Sequence, residues 1–120
     1  MRILVCGGRD YKDQNAVNLA LDRVKSQYGT IEVVIHGGAS GADDFGAQWG
    51  HKHATKGHLR FNADWNRHGK AAGPIRNERM IQEGEPDGCI AFPGGRGTKD
   101  MIDRCIKHGI PVWEPMKERT

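Results

Sequence analysis

The sequence predicts an α/β domain built on a parallel, doubly wound sheet of about five strands, and three observations carry that expectation. Short apolar runs alternate with segments of helical spacing along the whole chain, leaving no room for hairpins. Continuous apolar stretches such as Val33-Val34-Ile35 suit central strands buried on both faces. Glycine pairs at Gly7-Gly8, Gly37-Gly38 and Gly94-Gly95 each follow one of these runs, where strand-to-helix turns belong.

Arg2 to Cys6 reads as the first strand, because a short β-branched and apolar run stops at a glycine pair. Ala16, Val17, Leu19, Ala20, Leu21 and Val24 recur at helical spacing, which predicts a helix over roughly 14–27 with Gly29 as its stop. Ile31 to Ile35 is the second strand. A second helix is expected over about 41–54, with Ala42, Phe45, Ala47 and Trp49 turned inward. His58 to Phe61 is a weaker third strand. Asn62 to Gly73 is polar and glycine-bearing and reads as a long loop. Pro74 suits the first turn of a third helix running to about Glu83, which places Arg76 and Asn77 in that first turn. Gly88 to Phe92 is the fourth strand, a fourth helix runs from about Thr98 to His108, and Ile110 to Trp113 is the last strand. His108, just before Gly109, suits the C-terminal end of that helix's dipole. The tail after Pro115 is expected to fray.

The bulk properties bound the function. A chain of 120 residues forms a single domain, 1–120, with no linkers, repeats or low-complexity segments. The first apolar run, Met1 to Cys6, is too short for a signal peptide, and no run approaches the roughly 18 residues of a membrane span. The expectation is a cytoplasmic protein without a membrane partner. Cys6, Cys89 and Cys105 cannot all pair and form no CxxC motif. They read as buried thiols, and disulfide scaffolds and zinc ribbons are set aside. The net charge of +3 is small and dispersed, which argues against a nucleic-acid surface and is compatible with a small anionic ligand. His51 and His53 would fall on different faces of a helix, so no metal site is expected. No Ser-His-Asp or Cys-His constellation marks covalent catalysis, and no cofactor is implied.

The glycine-rich loops carry the chemistry. In a doubly wound sheet they share the carboxyl edge of the strands, where ligands bind and the following helices point free N–H groups. One such loop is weak evidence, whereas three on one edge predict an anion cradle formed by Gly7, Gly8, Gly37, Gly38, Gly94, Gly95 and Gly97. In Gly37-Gly38-Ala39-Ser40-Gly41-Ala42-Asp43, Ser40 and Asp43 have capping-box spacing. Ser40 can cap the helix, contact phosphate, or both, and Asp43 suits a ribose hydroxyl better than a phosphate. Pro93-Gly94-Gly95-Arg96-Gly97-Thr98 is the most specific segment. Pro93 fixes the strand exit, and Thr98 can cap the helix or donate its hydroxyl to phosphate. Arg9, with Asp10, follows the first strand onto the same edge, and Arg76 offers a planar fork to phosphate or carboxylate beside Asn77. Trp65, in the polar loop with Lys70, is either a packing anchor or a base-stacking platform.

Taken together, Val5-Cys6-Gly7-Gly8-Arg9-Asp10, Ile35-His36-Gly37-Gly38-Ala39 with Gly41-Ala42-Asp43, Gly73-Pro74-Ile75-Arg76-Asn77 and Pro93 to Thr98 resemble the SLOG superfamily, and within it the small YspA-like, cpYpsA-related branch of bacteria and phages. The resemblance implies a Rossmann-like domain that binds nucleotides or nucleotide-derived molecules such as ADP-ribose, NAD-derived or cyclic nucleotides. It also implies a homodimer or higher homo-oligomer, whose relatives often draw on a neighbouring subunit at the site. The superfamily includes LOG-type phosphoribohydrolases, which cut the base from a nucleoside 5′-monophosphate, sensor domains, and a DNA-processing branch. The hydrolases pair an arginine with a glutamate. Arg76 matches the arginine, with Met80 in its expected place, but the glutamate position is Met101. Asp100 is adjacent but turned by about 100° along a helix. Glu78 or Asp10 is the carboxylate left for a rearranged mechanism, so the catalytic residues stay unassigned. An intact cradle with half a catalytic pair favours a nucleotide sensor or sequestering module over an N-glycosidase.

Overall fold

The strands are β1 (Arg2–Cys6), β2 (Val33–His36), β3 (His58–Arg60), β4 (Gly88–Ala91) and β5 (Val112–Trp113), and they form one sheet in the order β3-β2-β1-β4-β5. Every pairing is parallel: Leu4 stands beside Ile35 on one side and Cys89 on the other, and β3 and β5 are the edges. The structure is a computed structural model and describes residues 1–117. The fold is the Rossmann-like α/β architecture, wound outward in both directions from β1. Among the described residues no helix is long and apolar enough to cross a membrane.

The helices are α1 (Gln14–Tyr28), α2 (Ala42–His53), α3 (Trp65–His68), α4 (Ala72–Gly84) and α5 (Arg96–Lys107). On one face, α1 and α2 pack against Ile3, Val5, Val34 and Ile90. On the other, α4 and α5 bring Met80, Ile81, Met101 and Cys105 against Leu4, Cys6, Val33 and Ile35. The alternation along β1 therefore feeds two cores from one strand. Each large aliphatic side chain so buried contributes about 1.5–3 kcal/mol relative to exposure.

Helix α1 starts where Asp13 accepts the Ala16 N–H through Oδ1 at 3.0 Å. It buries Val17, Ala20, Leu21 and Val24 at helical spacing. Leu19, expected on the same face, is 67% exposed because its position rotates it to the opposite side. Helix α2 lies closer to the sheet than side chains of ordinary size permit. A Cβ on Gly46 or Gly50 would come 3.0 Å from Val5 Cγ1 or Val34 Cβ, respectively. Trp49 is buried as expected and donates its indole N–H to Asp22 at 2.9 Å, whereas Phe45 is only half-buried.

Other expectations need correction. The segment 62–73 is not a loop throughout: Asp64 accepts the Arg67 N–H and starts α3, a 3-10 turn over Gly69–Ala71 follows, and α4 begins at Ala72. Its polar composition hid a capped turn. Arg76 and Asn77 consequently stand one turn inside α4 instead of in its first turn, while Pro74 sits where a helix needs no N–H donor. β2 begins at Val33 and extends through the buried His36. β3 ends at Arg60, and its exposed residues mark it as an edge. After Pro115 the chain turns, with the Lys117 N–H donating to Glu114 O. The remainder of that tail lies outside the described residues.

Candidate ligand cleft

At the carboxyl ends of β1, β2 and β4, where the chain winding reverses, lies a cleft of about 740 Å³. A switch point of this kind leaves a crevice because the helices on either side of β1 diverge to opposite faces. The loops after β1 and β4 clasp each other across it. The Gly8 N–H donates to Pro93 O at 2.8 Å, and the Tyr11 N–H closes a turn onto Gly8 O at 3.1 Å. A Cβ on Gly94 would lie 2.7 Å from Gly8 N, so that crossing requires glycine.

The loop after β2 is filled by side chains from the helices beside it. Asp43 accepts the N–H groups of Gly37 (3.1 Å) and Ala39 (3.3 Å) through one carboxylate oxygen. Arg76 donates from Nη1 to Gly37 O at 2.8 Å, so Arg76 and Asp43 close on Gly37 from two sides. Burial pushes the Asp43 carboxyl up to about 6, against the Ala39 amide, Arg76 and the Gly37 amide, which all favour the carboxylate. Burial likewise lowers the Arg76 pKa, with Asp43 opposing the shift. His36 braces the same loop. Its Nδ1 accepts the Gly38 N–H at 3.1 Å, which leaves Nε2 to carry the proton and donate it to His58 Nδ1 at 2.8 Å. Burial, reinforced by His58 and Arg60, pushes His36 down to about 4, so the imidazole is neutral.

The capping-box reading of Ser40 and Asp43 is therefore corrected. Gly41 occupies the N-cap position of α2 without a side-chain cap, at φ 75°. Ser40 instead donates to Arg9 O at 3.0 Å, tying the β2 loop to the β1 loop. Asp43 reaches back to the loop amides because the tight Gly37-Gly38 turn aims two N–H groups at one point.

The loop after β4 is built in the opposite sense. Gly95 is the N-cap of α5, no side chain caps it, and the first turn carries no acidic residue. Nothing lies within 4 Å of where a Cβ on Gly95 or Gly97 would stand, so these positions face open space. Thr98 is inside the helix and buried, with its hydroxyl packed toward Gly94. Exposed Arg96 stands beside the first N–H groups. Uncapped N–H groups and the positive end of a helix dipole thus open into the cleft, with Arg96 in its wall and no acidic residue in the first turn of α5.

A chain of hydrogen bonds joins these halves. Arg76 Nε donates to Asn77 Oδ1 (3.0 Å), Asn77 Nδ2 donates to Gly97 O (3.2 Å) and Asp100 Oδ2 (3.0 Å), and Asp100 accepts Arg104 Nε (2.8 Å). Asp100 is thus turned from the cleft, and the hydrolase glutamate position is filled by Met101, which is 1% exposed. Glu78 is not a cleft residue. It points along the outer face of α4 and pairs with Arg104 (3.0 Å) and His108 (3.0 Å), because helical rotation carries it away from Arg76. Asp10 stands at the cleft mouth.

Of the residues expected to form the cradle, the structure brings Gly7, Gly8, Arg9, Gly37, Asp43, Arg76, Asn77 and the whole of Pro93 to Thr98 around one cavity. Gly38 and Ser40 fall outside it. Gly38 lies under the Arg60 side chain on the β3 side, and Ser40 is exposed at the rim. Tyr11, Ala39, Met80 and Met101 line the cleft without having been singled out for it. Tyr11 could have been found from its place at the end of the Gly8-Arg9-Asp10 turn, but the methionines look like ordinary core. Trp65 is 54% exposed and not part of the cavity wall. Among the described residues no group of three or more His, Cys, Asp or Glu is placed to hold a metal ion. The cysteines are all buried and free, with Cys6 and Cys89 sulfurs 3.8 Å apart.

Two comparisons with known proteins bear on this geometry. The "Gene 61 protein" of Mycobacterium phage D29 is 43% identical over 122 residues, covering 92% of this chain and 93% of the phage protein. No solved structure matches. The profile described as the YspA, cpYpsA-related SLOG family matches residues 1–68, which hold the β1 and β2 loops of the cleft. With more than half its length matched to that profile, the chain belongs to the YspA, cpYpsA-related SLOG family.

Proposed function

We propose that the protein binds a nucleotide or nucleotide-derived ligand in this cleft, as a sensor or sequestering module. The observation that carries the reading is the unfilled N-terminus of α5. Gly95, Arg96 and Gly97 open into about 740 Å³ of space with no acidic residue in the first turn. A phosphate there meets N–H donors, the helix dipole and Arg96. The β2 loop suits a different part of the ligand, because its amides already hold the Asp43 carboxylate and a second phosphate would meet that charge. A ribose or base fits there better, with the remaining donors of Arg76 directed to it. SLOG membership supports a nucleotide-related role in general, and ADP-ribose, NAD-derived and cyclic nucleotides are the ligands we put forward.

A second reading, hydrolysis of an N-glycosidic bond, is favoured by one feature: Asp43, a cleft carboxyl with a pKa near 6, lies close to Arg76. Met101 offers no carboxylate and Glu78 faces away, so Asp10 or Asp43 would have to serve. Incubation with a mixed pool of nucleoside monophosphates, NAD, ADP-ribose and cyclic relatives, read by mass spectrometry, separates the two. An intact molecule retained with no free base supports the binder. Free base and ribose phosphate accumulating with time support the enzyme, and no retention or turnover rejects both.

We further take the protein to act in the cytoplasm as a homodimer or larger homo-oligomer, and not on polynucleotides. An apolar groove beside β5, lined by Tyr28 and Trp113 among others, supports self-association. Sedimentation of a single monomeric species would reject that.

A further inference from the structure

Tyr11 ends the turn that follows β1 and lines the cleft. Its ring packs on Phe92 at 5.3 Å between centroids, tilted by 36°. Its backbone is committed to the turn through Gly8 O. The hydroxyl is different. Among the described residues it is the single buried side-chain polar atom with no hydrogen-bond partner. Three other polar side chains of the cleft wall already hold protein partners: Asp43 two amides, Arg76 the Gly37 carbonyl and Asn77, and Asn77 the Gly97 carbonyl and Asp100.

An unpaired hydroxyl out of water destabilises a fold, and a phenylalanine would keep the packing on Phe92 without that cost. Core packing therefore explains the ring and not the oxygen. Burial raises the phenol pKa above its usual value, with Asp13 adding to the shift, so the group is a donor at neutral pH.

We propose that Tyr11 is a specificity-determining residue of the cleft, whose hydroxyl donates a hydrogen bond to an oxygen of the bound ligand. The assignment rests on the nucleotide reading above. Phosphate and sugar oxygens share the chemistry required, and the comparison of AMP with adenosine tells them apart.

The test is Tyr11→Phe, read in two ways. Without nucleotide, its Tm should equal or exceed that of the wild type, since the deleted oxygen has no protein partner. With AMP or ADP-ribose in calorimetric titration, its Kd should be about tenfold weaker. A loss retained with adenosine supports a sugar oxygen, and a loss confined to AMP supports a phosphate oxygen. Unchanged affinity for a nucleotide that the wild type binds overturns the proposal. So does a Tm lowered by several degrees, which would reveal a protein partner for the hydroxyl. A wild type that binds neither AMP nor ADP-ribose overturns the nucleotide reading itself, and this assignment with it.

Discussion

The loops after β2 and β4 start from similar material, a glycine pair leading into a helix beside the same central strand, yet they are finished in opposite ways. The β2 loop turns its amides onto Asp43, takes Arg76 onto a carbonyl and leans on a neutral His36. The β4 loop leaves the start of α5 uncapped and open. A glycine-rich turn supplies N–H groups and room, but a single acidic residue downstream decides whether a ligand or the protein itself uses them. Asp43 lies one helical position into α2, whereas the comparable region of α5 holds Arg96, Gly97 and Thr98.

The largest effect should come from forcing the closed loop apart. A Cβ at Gly41 would run into the Gly8 and Arg9 carbonyls, at a positive φ that side chains rarely adopt. Gly41→Val is expected to cost about 3–4 kcal/mol or more in urea unfolding. A loss below about 1 kcal/mol would mean the β1 and β2 loops are not locked together as described.

Arg76→Ala removes the cation nearest buried Asp43 and should cost about 2 kcal/mol at pH 8. The loss should shrink toward pH 5, because Asp43 becomes protonated and needs no counter-charge. A penalty independent of pH would show that Arg76 acts by packing alone.

Two opposed titrations flank the same loop. Asp43 has a raised pKa, so its contribution to stability is complete below about 4 and is lost as pH rises through about 6. His36 has a depressed pKa, so its contribution is complete above about 6.5 and is lost as pH falls through about 4. The two slopes offset each other in the wild type. Asp43→Asn removes one and should leave stability rising between pH 4 and 6.5 by about 2 kcal/mol more than in the wild type. Parallel pH profiles for the two proteins would dissociate Asp43 from the loop's titration.

The smallest stability effect is expected in the open loop. Gly95→Val meets empty space, so only the poorer N-cap is felt and unfolding should change by about 1 kcal/mol or less. Nucleotide affinity should nevertheless fall about tenfold, because the methyl groups occupy the space beside the α5 N–H groups. Unchanged binding would move the phosphate away from α5.

The alternation of elements was legible because period is local: Val17, Ala20, Leu21 and Val24 state a helical face, and Val33 to Ile35 a buried strand, without reference to anything else. The boundaries that failed were those set by a cap or by distant packing. Asp64 starts a helix inside a polar stretch, and Leu19 obeys an apolar pattern yet faces solvent. The cleft was largely readable too, since parallel strands must end their loops on one edge. Direction along a helix was not. Glu78 and Arg76 are two residues apart, and only the seating of α4 on the sheet decides that one enters the cleft while the other meets Arg104.

By itself the sequence determined the α/β order, the parallel sheet and the placing of glycine, arginine and threonine at the strand ends, because propensity and periodicity act over a few residues. The tertiary structure alone decided which glycine loop closes on its own carboxylate, which stays open, and that the Tyr11 hydroxyl has no partner. Those outcomes depend on atoms far apart in the chain. A hydrogen bond forms or fails within a few tenths of an ångström, which only the packing of whole elements sets.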